Sequence, residues 1–238
     1  MIILSFDSTA KAASVALAKD DKLLAEYTVD NGFTQSELLL PMAESLLKSA
    51  GLGFDEVDIF TSATGPGSFT GVRIGAATVK GLAFGKNKPC ISVSTLDALA
   101  ENLRGLKGVI VPVMDARRNQ VYTATFTSDT ERLLRTTEDR AISIDALGEE
   151  LVNLGADVIY LVGDGEQVAR KRLLEKYPAL NIGITPQLLL RQSAYSVAAV
   201  AYRKYKCGDI ESDKEHLPTY LRMPQAERER LERLGKNQ

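Results

Sequence analysis

The stretch "MIILSFDSTAKAASVALAKDDKLLAEYTVD" (residues 1–30) decides how the rest of the chain is read. Its opening apolar run suits a buried strand, and the remainder reads as two more strands turned about Asp20 and Asp21, an antiparallel meander. "TQSELLLPMAESLLKSAG" (34–51) then reads as a helix: Thr34 and Glu37 have capping-box spacing, Pro41 falls in the first turns and Gly51 marks the end. Next come a strand in "VDIFTSAT" (57–64), a glycine-rich loop, a helix over about 70–84, a strand in "PCISVS" (89–94) and a helix in "TLDALAENLRG" (95–105). The order is β-β-β-α-β-α-β-α.

From about Lys107 the rhythm starts again. "GVIVPVMDARRNQVYTATF" (108–126) gives a strand, a turn at 116–119 and a second strand, with "RLLRTT" (132–137) as a third. Helix, strand, helix, a short strand in "NIGIT" (181–185) and an Ala-rich amphipathic helix in "SAYSVAAVAYRKYKCG" (193–208) complete it. A meander continued by helix-connected strands predicts an α/β fold with mixed sheets in β-β-β-α-β-α order, a ribonuclease-H-type lobe. Two such lobes predict an actin-like (ASKHA-type) duplication. The expected division is a first lobe over 1–104, a reduced second lobe over 105–222 with the helix at 193–205 packing back on the first, and a charged tail over 223–238.

Composition narrows the function classes. The 238 residues are 45% hydrophobic and 25% charged, which suits a folded protein, and the net charge of −2 gives no global footprint for autonomous nucleic-acid binding. The N-terminus has no basic region ahead of its apolar run, and no apolar stretch approaches bilayer-spanning length, so a cytoplasmic protein is expected. Cys90 and Cys207 belong to no metal or redox cluster.

The loop and helix "TSATGPGSFTGVRIGAATVKGLAFG" (61–85) fail each nucleotide-loop test. Gly71 is followed by Val72 and Arg73 where a Walker loop needs Lys and Ser or Thr, and Gly65, Gly67 and Gly71 lack dinucleotide spacing. Pro66 and Thr70 replace the glycines that a nucleophile elbow needs around Ser68. Gly67, Gly71 and Gly75 instead recur every four residues, a face for close backbone approach. Arg73 and Lys80 fill one narrow stripe, leaving roughly two thirds of the helix circumference apolar or small. One side must meet its own sheet; the other is left to the preceding helix, the second lobe or another chain. Gly65 and Gly67 at the helix entrance leave weak anion binding open.

Catalytic groups are scarce. The single histidine, His216, lies in the polar segment "ESDKEHLPTY" and reads as a surface residue, so neither a His-ligand pair nor a Ser-His-Asp system is expected. Asp7, Asp115 and Asp164 end strands or open turns, where carboxylates either hold magnesium through water or cap the turn.

Five segments in order, "ILSFDSTAKAASVAL", "QSELLLP", "ATGPGSFTGVRIGAATVKGLA", "DARRNQVY" and "LPTYLR", together resemble the bacterial TsaB (YeaZ) family; GPGSFTGxRxG is the specific one. The resemblance implies an actin-like fold and a non-catalytic, cofactor-free subunit of the complex that transfers a threonylcarbamoyl group to N6 of the adenosine beside the anticodon in ANN-decoding tRNAs. Its implied partners are the catalytic subunit TsaD and the ATPase TsaE, with a homodimer when alone and tRNA reached through the complex. Aligned with TsaD, Thr95 and Leu99 stand where that subunit carries its metal-binding histidines, so no metal is expected, nor metalloprotease activity. Where relatives often open the first helix with His-Ser-Glu, this chain has Gln35-Ser36-Glu37. The family's helical interface maps onto the faces around Leu38, Met42 and Ser45 and around Gly71, Gly75, Ala76 and Val79. The residual nucleotide or anion candidates are Asp7, Gly65, Gly67 and Asp115. An autonomous actin-like ATPase or small-molecule kinase is the alternative, although neither "DSTAK" nor "DARRN" carries the glycine-rich turn of a phosphate hairpin.

Overall fold

The computed structural model describes residues 1–222; the charged tail expected over 223–238 lies outside the described residues. β1 (Ile2–Asp7) pairs antiparallel with β2 (Ala13–Lys19), and β2 with β3 (Lys22–Val29). After α1 (Gln35–Ser49), β4 (Ile59–Gly65) lies parallel to β1, and after α2 (Phe69–Ala83), β5 (Cys90–Ser94) lies parallel to β4 and leads into α3 (Thr95–Glu101). The strand order is β3-β2-β1-β4-β5.

Alternation along the strands divides this sheet into two buried faces. Leu4, Phe6, Val15, Leu17 and Phe60 meet Leu39, Met42, Leu46 and Val79 of α1 and α2. Ile3, Ile59, Ile91 and Val93 meet Val197, Ala198 and Ala201 of α6 (Ala194–Lys206). The small residues of α6 let its backbone lie close to the sheet, and polar contacts seat its start: the Ser5 hydroxyl donates to the Ala194 carbonyl at 2.7 Å, and the Ala194 N–H donates to the Ser14 hydroxyl at 3.0 Å.

The second sheet centres on β6 (Gly108–Asp115). β7 (Gln120–Thr123) and β8 (Phe126–Ser128) pair antiparallel with the two halves of one edge of β6, in a single continuous register. The break between them falls opposite Pro112, which has no N–H to give to the ladder. β9 (Leu133–Arg135) continues from β8, β10 (Arg140–Ser143) from β7, and β11 (Ile159–Val162) runs parallel along the other edge of β6. The expected second strand is thus cut into β7 and β8, and β10 is a further strand beyond the three expected before the next helix. α4 (Ile144–Leu154) and α5 (Glu166–Lys176) cover one face through Leu147, Leu151, Ala169 and Leu173. "NIGIT" forms no strand: Ile182 makes one isolated bridge to Ile159 and the rest is irregular.

Candidate functional site: the cleft between the sheets

α3 joins the sheets. Leu96, Leu99 and Leu103 pack against Ile110, Met114 and Val162 of the second sheet, and Asp97 pairs with Arg135 at 2.9 Å. Beside this junction lies a cleft of about 760 Å³, walled by the turn after β1, the start of α2, the β6–β7 turn and residues 219–222.

The glycines shape its first wall by close approach. A Cβ on Gly67 would sit 2.5 Å from the Thr9 carbonyl oxygen, and one on Gly71 would lie inside the van der Waals shell of the Ser8 carbonyl oxygen. The Ser8 hydroxyl donates to the Gly71 carbonyl at 2.8 Å, and the Ser68 N–H donates to the Thr9 carbonyl at 2.7 Å. A Cβ on Gly75 would meet the Ser8 hydroxyl at 2.8 Å. The close-approach face read in the sequence therefore finds its partner inside the chain, at the end of β1. Gly71, Gly75, Ala76 and Val79 are buried there, and Met42 is buried in the core beneath α1. Leu38 is half-buried and Ser45 exposed. The surface of the helix pair is thus carried by Ser45 together with Leu40 and Pro41 on α1, and by Arg73, Ala77 and Gly81 on α2.

Residues 216–222 strap the cleft. The Thr219 N–H donates to the Thr64 carbonyl at 2.7 Å, and the Thr219 carbonyl oxygen fills the space where a Cβ on Gly65 would stand, at 2.5 Å. Gly65 has φ +121°, a conformation that favours glycine. Of the four anion candidates, Gly67 and Asp115 line the cleft, Gly65 is closed off by Thr219, and Asp7 is buried at the end of β1.

Asp7 Oδ1 accepts from the Thr9 N–H at 2.9 Å and the Thr9 hydroxyl at 2.7 Å, while its Oδ2 is buried without a partner. Burial pushes this carboxyl up to about 6; the Thr9 bonds oppose the shift, and Glu26 and Asp164 add to it. Asp164 is also raised by burial, against the hydrogen bond that its Oδ1 accepts from the Asp115 N–H at 3.2 Å. Asp115 Oδ1 in turn accepts from the Arg117 N–H at 2.7 Å. These carboxylates hold turns.

His216 is not at the surface. Glu211 and Cys90 exchange two backbone hydrogen bonds, at 2.8 and 2.9 Å, which lay the polar segment along the β5 edge and drive the imidazole inward. His216 is fully buried, Nε2 2.8 Å from the Ser62 hydroxyl and Nδ1 3.0 Å from the Ser92 hydroxyl, with Glu211 at 3.4 Å. The order Ser-His-Glu imitates a hydrolase triad, but Ser62 is itself fully buried and does not line this cleft. No pattern around His216 in the sequence announces this burial. Thr95 and Leu99 are buried at the junction, Leu99 among apolar side chains. Gln35 ties α1 to the turn after β1, its side-chain amide donating to the Ala10 carbonyl at 2.9 Å.

Comparison with known proteins places this architecture. The family model for tRNA N6-adenosine threonylcarbamoyltransferase (TsaD) matches residues 34–210. The tRNA threonylcarbamoyladenosine biosynthesis protein TsaB of Bacillus subtilis is 30% identical over 234 residues, 98% of this chain and 99% of its own. That of Escherichia coli is 33% identical over 231 residues, 93% and 95% of the two chains. A crystal structure from Pseudomonas aeruginosa, of a protein with similarity to peptidase YeaZ, superposes with a TM-score of 0.78 at 26% identity, covering 93% of this chain and 99% of that one. With a match along nearly its whole length, from the β1 meander through the glycine helix to the strap, the chain belongs to the TsaB family of tRNA threonylcarbamoyladenosine biosynthesis proteins.

Proposed function

We propose that the chain is a non-catalytic subunit of the complex that transfers a threonylcarbamoyl group to N6 of the adenosine beside the anticodon in ANN-decoding tRNAs. It binds TsaD and TsaE in the cytoplasm and forms a homodimer when alone. In this reading its two sheets are the paired ribonuclease-H-type lobes of an actin-like fold, and the break at Pro112 accounts for the division of one strand into β7 and β8. The observation that carries the reading is the full-length match to the TsaB proteins, joined to buried Thr95 and Leu99 at the positions of the TsaD histidines. Leu99 has no metal-binding atom, and the buried Ser62 cannot reach a substrate.

The docking surface is the outward face of α1 and α2. Because Gly75 is buried against Ser8 and Ser62, a large residue there tests folding; Ser45 and Ala77, both exposed, test docking. The Ser45→Arg/Ala77→Arg double variant is expected to keep the thermal midpoint within a few degrees, as surface changes do, and to bind TsaD at least about tenfold more weakly. Cells carrying it in place of the native chain lose most of the modified adenosine, read by nucleoside mass spectrometry. Undiminished TsaD binding by the variant sinks the docking face. Full modification in cells without the chain sinks the subunit role itself.

A further inference from the structure

Cationic side chains without a carboxylate partner gather around the cleft. Lys11, Arg117 and Arg222 line it, Arg118 adjoins Arg117, and Arg73 stands at the α2 rim. Among the described residues, none of these five is ion-paired with a carboxylate; Arg135, Arg140, Arg170, Arg172 and Arg203 are paired, and Arg132 and Arg191 are single unpaired arginines away from the cleft. Asp115 and Asp164 also line the cleft, but each spends an oxygen on a backbone N–H of the turns.

The arginines of the β6–β7 turn are held at the mouth at a conformational cost. Arg117, Arg118 and Asn119 have φ of +62°, +55° and +57°, three successive side chains in the left-handed region where glycine is the unstrained choice. Hydrogen bonds fix the turn: Ala116 N–H to the Gln120 carbonyl at 3.0 Å, and Ile144 N–H to the Asn119 carbonyl at 3.0 Å. A phosphate hairpin built from backbone N–H groups would use glycine there; this turn presents guanidinium groups instead.

Aromatic rings interleave with these cations. Tyr220 stacks on Phe69 at 4.7 Å, Arg73 lies 3.8 Å over the other ring of that pair, Phe69, and Arg73 Nε donates to the Tyr220 hydroxyl at 2.8 Å. Tyr220 lines the cleft and keeps 41% exposure, enough to receive a base. Arg222 covers Tyr122 at 5.5 Å and donates to the Ala116 carbonyl at 3.3 Å, so the strap sets cations on both walls.

We infer that this cleft binds single-stranded RNA, its phosphodiesters on Arg117, Arg118 and Lys11 and one base on Tyr220. Cations spread along two walls suit successive phosphates of a strand better than one compact triphosphate, and an exposed ring takes any base. The net charge of −2 makes the contact local and salt-sensitive, an addition to binding by partner subunits. The inference rests on the tRNA-modification reading above and assigns to this chain a direct part in holding the RNA.

The test is fluorescence anisotropy of the purified full-length chain with a labelled single-stranded RNA of about 12 nucleotides, between about 50 and 200 mM salt. Arg117→Glu/Arg118→Glu should weaken binding at least about tenfold, and Arg117→Gln/Arg118→Gln should lower the salt slope by about 1.4. Tyr220→Ala should weaken binding at least about fivefold, and Lys107→Glu/Lys171→Glu, an equal charge change away from the cleft, less than about twofold. Unchanged thermal midpoints establish that the variants are folded. Equal binding by the cleft and control variants overturns the inference, as does a duplex bound as tightly as the strand. ATP that binds more tightly than the RNA and displaces it assigns the cleft to a free nucleotide and also overturns it. TsaD binding and adenosine modification are read separately. A cleft variant that joins TsaD and binds RNA like wild type sinks the RNA site alone, whereas a wild-type chain dispensable for modification sinks the subunit reading whatever the anisotropy shows.

Discussion

Gly71→Ala is expected to destabilise the protein by about 3 kcal/mol, the upper part of the range for overpacking a dense interior. The added methyl would fall almost on the Ser8 carbonyl oxygen, and that carbonyl cannot retreat freely: the Ser8 hydroxyl is tied to the Gly71 carbonyl and the neighbouring Thr9 carbonyl to the Ser68 N–H. Helix propensity opposes the loss by only about 1 kcal/mol, so packing decides the sign. Gly81 supplies the contrast. It lies in the same helix with nothing within 4 Å of an added Cβ, so Gly81→Ala should stabilise by roughly 0.5–1 kcal/mol. Urea unfolding of the two variants measures both. Small stabilising effects of both variants would show that α2 rides farther from β1 in solution.

Asp7→Asn is expected to stabilise the protein at neutral pH. A carboxyl raised from 3.8 to about 6 binds its proton more tightly when folded, so its ionisation opposes folding. The penalty is absent below pH 4, grows as pH rises through about 6, and is complete at pH 7 and above, where a shift of this size corresponds to about 3 kcal/mol. Asparagine keeps an acceptor for the Thr9 N–H and hydroxyl and carries no charge, but its amide leaves the partnerless Oδ2 position unsatisfied, which offsets part of the gain. The expected net gain is about 1–2 kcal/mol at pH 7.5, shrinking to nothing or reversing by pH 4. Thermal midpoints measured across that range check it, and a pH-independent difference would remove ionisation from the account.

The first sheet is readable because its signals are local. Leu4 and Phe6 alternate with Ile3 and Ser5, Asp20 turns the meander with φ +56°, and Glu37 accepts from the Thr34 N–H at 3.1 Å as the capping box requires. The second sheet is readable in outline; Pro112 shows in the sequence, but its cut across the neighbouring strand depends on a register that no local pattern fixes. The glycine spacing announces close approach without naming the partner, because Ser8 lies 63 residues from Gly71. His216 and the rings of the strap are illegible for the same reason: a short polar segment gives no sign that sheet pairing at Glu211 will bury it. The clustering of cations is hidden in a nearly neutral total, since Lys11, Arg117 and Arg222 meet only after folding.

The placement of α6 has a consequence for how the chain is made. Residues 194–206 cover the face of the first sheet that carries Ile3, Ile59 and Ile91, although those strands are synthesised long before the helix exists. During vectorial synthesis that apolar face waits without its native cover until more than four fifths of the described chain has emerged, so the first sheet is finished late. Nascent chains stalled ahead of Ala194 should therefore engage chaperones or aggregate, whereas chains from which α6 has fully emerged should not.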